Sequence, residues 1–196
     1  MKEPLADFIR TSLKNPKEEE IKEILEIFHV KEFAKGEHFK QHDQICKQIA
    51  FILKGSARNY MLKKNGNEIT ARIARQNDFV TDIVSVRTQA ITPLSIEILE
   101  PTTLLVAETK DSIDLLETNL TFNRIVREYM AQNTVYMGKM YMYFLAGTAR
   151  ERYEFIIKNN PALLKKTPLR FIASMIGITP TQLSRIRKKK RLKTPE

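Results

Sequence analysis

A short segment near the C-terminal end of the sequence concentrates side chains that suit the edges of DNA bases and the phosphate oxygens. Gln182 carries an amide that can hydrogen-bond to adenine at two points, and the planar fork of Arg185 fits the O6 and N7 atoms of guanine. Hydroxyl and ammonium groups suit phosphate oxygens, which hold no sequence information. The candidate DNA-contacting residues are Thr179, Thr181, Gln182, Ser184, Arg185, Lys188 and Lys189. Together they predict a surface for double-stranded DNA.

Two helices joined by a tight turn must present these side chains. Gly177 supplies a left-handed turn after the first helix. Thr179 is a good capping residue and Pro180 suits the first position of a second helix. Leu183 and Ile186 then face the first helix, which leaves the polar side chains outside. This pattern is typical of a helix-turn-helix, although a helical hairpin in any small α domain would share part of it.

Charge is distributed unevenly along the chain. The sequence of 196 residues has a formal net charge of +10. Residues 150–196 carry 13 Lys or Arg against 3 Asp or Glu, so this segment accounts for the whole excess. Such an asymmetry indicates a polyanionic partner for this segment alone. The charge by itself would also suit a solvated tail, RNA or an anionic membrane surface, whereas the capped helical pair favours duplex DNA.

The region from Val30 to Glu108 has the pattern of a compact antiparallel β fold. Short apolar runs alternate with turn signals, and Asn65-Gly66 predicts a type I′ hairpin turn. The predicted strands are Ile49–Leu53, Ala57–Leu62, Glu68–Ile73, Leu94–Leu99 and Thr103–Glu108. The expected fold class is therefore α+β, with an antiparallel β domain, a long helix and a helical C-terminal domain.

A long helix is predicted from about Leu120 to about Ala146, and its apolar residues recur at heptad spacing. The predicted dimer seam consists of Phe122, Val126, Tyr129, Asn133, Tyr136 and Met140. A second row, Met130, Met137 and Phe144, is expected to pack on the β domain of the same chain. The alternative is a helix buried inside a monomer, but an Asn within an apolar seam is better explained as a device that fixes the register of two helices.

The sequence resembles the Crp/Fnr family of bacterial regulators over nearly its whole length. The residues that carry the resemblance are Phe33–Gly36, Ile52–Ser56, Asn77–Phe79, the long helix and Ile172–Arg187, and they look most like the shortened members. The resemblance implies three parts. Residues 1–110 would form N-terminal helices and a cyclic-nucleotide-binding-like β-roll, residues 111–147 the dimerisation helices, and residues 148–196 the helix-turn-helix DNA-binding domain.

The resemblance also implies an effector pocket. The pocket would include Asp82, Arg87, Leu94 and Ser95. Nucleotide-binding members have Gly-Glu where this chain has Thr81-Asp82, and an Arg-Ser pair where alignment places Pro93-Leu94. Without that arginine a cyclic phosphate loses its bidentate partner. We therefore expect no certain cofactor and an effector other than cyclic AMP, whose identity the sequence leaves open; the β-roll could also serve only as a scaffold.

Other classes of site lack the residues that they need. The single cysteine, Cys46, excludes an internal disulfide and the cysteine-rich iron–sulfur site of one family branch. His38 and His42 are four residues apart, but they lie in a predicted turn and strand rather than on a helix, and the sequence places no acidic third ligand beside them, so no metal site is expected. No nucleophile–base arrangement indicates an enzyme. No apolar run approaches the roughly 18 residues of a membrane helix and no signal segment is apparent, so the expected location is the cytoplasm.

The combined prediction is a homodimeric, sequence-specific DNA-binding regulator of transcription. Its expected partners are double-stranded DNA, a second copy of the chain and RNA polymerase, and it is expected to sense a small molecule. The alternative is a ligand-sensing regulatory module that acts on a protein partner without specific DNA binding.

Overall fold

The computed structural model describes residues 1–191, without the side chains of residues 165, 166 and 189–191. The elements, in chain order, are α1 (Glu3–Ser12), α2 (Glu18–Glu26), β1 (His29–Phe33), β2 (His38–Lys40), β3 (Gln48–Lys54), β4 (Ser56–Leu62), β5 (Glu68–Arg75), β6 (Phe79–Val80), α3 (Ile83–Thr88), β7 (Leu94–Ile98), β8 (Thr102–Glu108), α4 (Thr109–Thr118), α5 (Leu120–Ala146), α6 (Ala149–Asn159), α7 (Leu163–Lys166), α8 (Leu169–Met175) and α9 (Pro180–Arg191). The predicted α+β fold class is confirmed, and all five predicted strands are present to within a few residues.

The eight strands form two antiparallel sheets. One has the order β1-β8-β3-β6 and the other the order β2-β7-β4-β5. In the first, Ala50 pairs with both Val80 and Val106, and in the second Asn59 pairs with Ile96. Apolar side chains from both sheets join in one buried cluster. Alternation along each strand therefore produces the core that a two-sheet fold requires.

Helices cover the outer face of the first sheet. Side chains of α1, α2 and the start of α5 form a second buried cluster around Phe51 and Leu105. Phe51, Phe8, Phe79 and Tyr129 continue this cluster as a chain of tilted and edge-to-face aromatic contacts with ring centroids 5.1–5.8 Å apart. The preferred geometry of aromatic pairs thus fixes the first half of α5 on this sheet.

The hairpin turn between β4 and β5 differs from the prediction. Gly66 has a φ of +79°, but Asn65 is not in the left-handed region, so the turn is not type I′, which requires a positive φ at both central residues. The backbone N–H of Gly66 donates to the Lys63 carbonyl at 2.9 Å, and that of Lys63 donates to the Asn67 carbonyl at 2.8 Å. A longer loop closed by one left-handed glycine also satisfies the twist of the strands, and sequence alone does not separate the two solutions.

The helical part of the chain has the ends that its sequence predicts. The long helix runs over 27 residues to Ala146. Thr148 and Glu151 form a reciprocal capping box at the start of α6, and Gly177 follows α8 with a φ of +73°.

The chain divides into two compact units, residues 1–61 with 72–132 and residues 62–71 with those from 133 onward. Of the helices described, none combines the length and the apolar composition that crossing a membrane requires.

Candidate nucleic-acid interface and effector region

A buried contact between α8 and α9 sets the orientation of the second helix. Leu183 of α9 is fully buried, as are Ile172, Ala173 and Ile176 of α8 and its following turn. The backbone N–H of Ile178 donates to the Ala173 carbonyl at 3.0 Å, which closes the turn. A small side chain at position 173 allows this close approach. The packing thus determines which face of α9 is left for solvent.

The predicted DNA-contacting residues share that solvent-facing side. The exposed residues are Thr179, Thr181, Gln182, Ser184, Arg185 and Lys188, and the side chain of Lys189 lies outside the described residues. Arg185 is one helical turn beyond Thr181, so the two project on the same side. The structure therefore brings the polar candidates together on one helix face.

Gln182 takes part in a cap that sequence inspection missed. The backbone N–H of Thr179 donates to Gln182 Oε1 at 2.9 Å, and the backbone N–H of Gln182 donates to Thr179 Oγ1 at 3.2 Å. This is the reciprocal arrangement of a Thr-x-x-Gln capping box, which the spacing of the two residues could have indicated. A two-point contact with adenine needs both the oxygen and the nitrogen of the amide. Gln182 can make it only if this cap opens.

A closed polar cluster occupies the place where the sequence suggested an effector pocket. Asp82 caps α3 by accepting from the Ser85 N–H at 3.1 Å, and its other oxygen accepts from the Thr92 hydroxyl. The ammonium group of Lys40 lies 2.8 Å from the same oxygen and also donates to Thr92 Oγ1 at 2.9 Å and to the Leu94 carbonyl at 2.7 Å. Internal donors thus serve both carboxylate oxygens, and all three ammonium hydrogens have acceptors.

The electrostatics of this cluster are those of a structural ion pair. Lys40 and Asp82 are each 3% exposed. Burial opposes the ionised carboxylate most strongly, but the hydrogen bonds from Lys40, Thr92 and the Ser85 backbone together lower the pKa of Asp82 below its ordinary value. The buried charges of Lys40 and Asp82 are therefore stabilised by each other and by neighbouring groups of the protein.

The four residues predicted to line an effector pocket have different environments. Asp82 and the carbonyl of Leu94 belong to the closed cluster, and Ser95 is buried within β7. Arg87 lies exposed on α3, away from that cluster. Lys40, which completes the cluster, was missed because it lies 42 residues before Asp82 in the sequence and no local pattern links the two.

The predicted dimer seam lies against its own chain in this structure. Phe122 and Met140 are buried. The Tyr129 hydroxyl donates to Asp78 at 2.5 Å and accepts from Arg72 at 2.8 Å, while Tyr136 stacks on Phe155 with ring centroids 5.5 Å apart. The two remaining seam residues, Val126 and Asn133, are partly buried.

The second apolar row of the long helix has the opposite environment. Met137 is 58% exposed and Phe144 is 42% exposed. The packing of this row on the β domain stays a prediction. The heptad spacing identified the apolar positions of α5 correctly, but spacing does not say which of two adjacent rows turns inward, because both rows are apolar.

Tyr129 links the long helix to the β region through a polar network. Burial raises the pKa of Tyr129, with Arg72 opposing and Asp78 supporting that shift. Arg72 forms an ion pair with Asp78 at 2.5 Å and donates to the Phe79 carbonyl at 3.1 Å. The hydroxyl therefore stays protonated and keeps donating to the carboxylate at neutral pH.

Comparison with known proteins agrees with this architecture. Residues 30–119 match the family model of the cyclic nucleotide-binding domain. FixK2 from Bradyrhizobium japonicum has a TM-score of 0.72 at 16% identity, and 85% of each chain is covered. A protein described as a transcriptional regulator of the Crp/Fnr family, from Eubacterium rectale, has a TM-score of 0.67 at 15% identity, covering 90% of this chain and 84% of that one.

A third structure extends the comparison. The catabolite activator protein of Thermus thermophilus has a TM-score of 0.55 at 16% identity and covers 88% of this chain and 83% of its own. No curated protein matches the sequence. The chain therefore shares the fold of solved structures that include Crp/Fnr-type regulators, and the match to the cyclic nucleotide-binding domain lies in the first part of the chain.

Proposed function

We propose that this chain is a DNA-binding transcription regulator of the Crp/Fnr type. The observation that carries the proposal is the exposed polar face of α9, which follows the Gly177 turn and lies in the segment that holds all of the excess positive charge. A helix of this kind enters the major groove with its N-terminal part. The likeness to Crp/Fnr-type regulators, which shows the fold, supports the same conclusion.

Within this interface the residues divide between base and phosphate contacts. Arg185 would pair with one guanine, and Thr181 would contact a neighbouring base or a thymine methyl group. Thr179, Ser184 and Lys188 would contact phosphates, which position the helix without selecting a sequence. Gln182 would help to position the helix through its cap on Thr179, and it would contact adenine only after that cap opens.

Binding selection on random DNA tests the proposal. Arg185→Ala should weaken binding to the selected sequence and relax the preference at one base pair per half-site, a loss of about 1–3 kcal/mol of discrimination. Lys188→Ala is the matched control on the same face, and it should weaken binding to all sequences alike and lower the salt slope by about one. Enrichment of no sequence by the wild-type protein would refute the regulator assignment. Recovery of one consensus by both wild type and Arg185→Ala would remove Arg185 from base recognition.

The regulator is proposed to act as a homodimer that meets through α5. Because the predicted seam is engaged within its own chain, the exposed row beside it offers a dimer surface without rearrangement. This row consists of Met130, Thr134, Met137, Tyr141 and Phe144, at alternating spacings of four and three. The predicted seam could meet a second helix only if Tyr136 and Met140 left their intrachain contacts.

Sedimentation of two variants separates these two surfaces. Met137→Glu should yield a folded monomer, because this exposed side chain would place a charge in the seam between two copies. Met140→Glu should instead lower the stability of the single chain, since Met140 is buried there. A monomeric wild-type protein at micromolar concentration would contradict the dimer.

The proposed regulator does not use cyclic AMP as its signal. The Lys40–Asp82 ion pair and the Thr92 hydroxyl lie in the region that the resemblance assigns to the nucleotide, and the ammonium group of Lys40 already has its acceptors within the protein. Calorimetric titration with cyclic AMP should show no binding below the millimolar range. Micromolar binding would overturn this part of the proposal and leave the DNA-binding part untouched.

A further inference from the structure

A hollow of about 130 Å³ lies among α3, β6, α4 and the first half of α5. Its walls are almost wholly apolar. The principal lining side chains are Ile49, Val86, Leu116, Phe122, Ile125 and Val126. Neither Lys40 nor Asp82 lines it, so the hollow is separate from the polar cluster at the N-terminus of α3.

The inner wall of this hollow is built from core positions, whereas its outer edge is formed by the exposed side chains of Ile83, Ile113 and Met130. Val86 is 7% exposed, and Phe122 and Ile125 are each 2% exposed. Protein interiors are packed about as densely as organic crystals, with few voids larger than a water molecule. An apolar void lacks the polar partners that would hold water, whereas an engineered apolar cavity of about 150 Å³ in another protein binds benzene. The hollow therefore has the size and the chemistry for a single ring or a short branched chain.

The rim of the hollow adds one charge. Arg87 borders the cavity, and it forms no ion pair with any residue in the described part of the chain. A guanidinium binds a carboxylate through two parallel hydrogen bonds. Ligand sites commonly combine apolar walls with a small number of placed polar groups that fix orientation. An unpaired arginine at the mouth of an apolar cavity fits an acid whose body is apolar.

We propose that this cavity binds a small apolar carboxylic acid, such as a one-ring aromatic acid or a short branched-chain acid. The apolar part lies between Val86, Ile125 and Val126, and the carboxylate lies at Arg87. This site does not depend on DNA binding, because every lining residue belongs to the unit that holds residues 72–132 and the β-strands before it.

Titration calorimetry with two isosteric probes, benzoate and benzamide, tests the site on the full chain. The wild-type protein should bind benzoate more tightly than benzamide. Arg87→Gln should weaken benzoate about tenfold, because a neutral amide replaces the charged two-point contact, and leave benzamide unchanged. Arg127→Gln is the matched control, since it removes an exposed arginine of α5 that does not border the hollow, and it should change neither affinity.

A second variant tests the apolar part independently. Val126→Phe should fill the hollow and abolish binding of both probes, and an urea unfolding midpoint close to that of the wild type would show that the variant is folded. If that variant does not fold, the milder Val126→Leu should still weaken both probes, and competition between benzoate and benzamide on the wild-type protein should show mutual displacement, as one shared site requires. Absence of binding of both probes up to millimolar concentrations would overturn the proposal. Equal weakening of benzoate and benzamide by Arg87→Gln would overturn the role of Arg87.

Discussion

Two sets of residues around the short helix α3 have different surroundings: one set forms hydrogen bonds and an ion pair within the protein, and the other borders an apolar hollow. On the side of its N-terminus, Asp82, Lys40 and Thr92 form a cluster in which charged and polar atoms serve one another. On its other side, Val86 borders an apolar hollow with Arg87 at the rim. One side is therefore polar and closed, and the other is apolar and unfilled.

The difference has a physical basis in the cost of burial. A buried charge must have a partner and further hydrogen bonds, and a cluster that meets this demand internally has little left to offer a ligand. An apolar wall makes no such demand, so a void beside it can persist and can be filled from outside. Under the proposals made above, the ligand would therefore bind at the apolar hollow rather than at the closed polar cluster.

The largest loss of folding stability is expected when the Lys40–Asp82 ion pair, on the closed side of α3, loses one partner. Lys40→Met keeps most of the side-chain volume but leaves the Asp82 carboxylate buried without its cation. Loss of one partner of a buried pair typically costs about 3–5 kcal/mol. Urea unfolding followed by circular dichroism should show a loss of this size in the free energy of unfolding.

The double variant Lys40→Met with Asp82→Asn is the control for that experiment. It removes both charges and keeps a side-chain oxygen that can cap α3. It should recover a substantial part of the stability lost by Lys40→Met. A single variant as stable as the wild type would show that the pair is not structural and would remove the contrast between the two sides.

A smaller loss is expected at Ser85, which connects the closed side to the neighbouring loop. Its hydroxyl donates to the Ala90 carbonyl at 2.7 Å and accepts from the Cys46 N–H at 2.9 Å. Ser85→Ala should lower the free energy of unfolding by about 1–3 kcal/mol, because a buried backbone group loses its partner. Val84→Ala, at an exposed position of the same helix, should change it by no more than about 0.5 kcal/mol.

Acid should weaken the closed side selectively. The pKa of Asp82 lies below its ordinary value of 3.8 in the folded protein. A lowered pKa means that the ionised group stabilises the fold at pH values above about 4, and that this contribution is lost as pH falls through the lowered pKa. The unfolding midpoint in urea should therefore drop between about pH 5 and about pH 2, and the double variant at Lys40 and Asp82 should drop less than the wild type. Equal drops would assign the acid sensitivity to other carboxylates.

Features that depend on nearby residues could be predicted from the sequence. The Thr148–Glu151 capping box, the left-handed Gly177 and the end of the long helix at Ala146 each follow from residues within one or two helical turns. The strands were predicted for the same reason, since alternation and turn signals act over a few residues. The exposed polar face of α9 followed from its helical period.

Features that depend on distant residues could not be predicted. Lys40 meets Asp82 only because β2 and the start of α3 are brought together by the sheets. The apolar hollow is a gap between several elements, and no pattern in any one of them reports a gap. The direction of the α5 seam depends on contacts such as Tyr129 with Arg72 and Asp78, which lie more than 50 residues away in sequence.

The smallest loss of folding stability is expected at Arg87, at the rim of the apolar hollow beside α3. Arg87 is exposed and has no ion-pair partner among the described residues, so its guanidinium contributes little to folding. Arg87→Ala should change the free energy of unfolding by no more than about 0.5 kcal/mol, as is usual for surface substitutions. Ala is also slightly favoured over Arg within a helix, which opposes any small loss of packing. Urea unfolding of Arg87→Ala and of Lys40→Met under the same conditions compares the free energy of unfolding that each side chain contributes. A loss at Arg87 comparable to that at Lys40 would mean that Arg87 supports the fold, and its unpaired charge would no longer indicate a ligand.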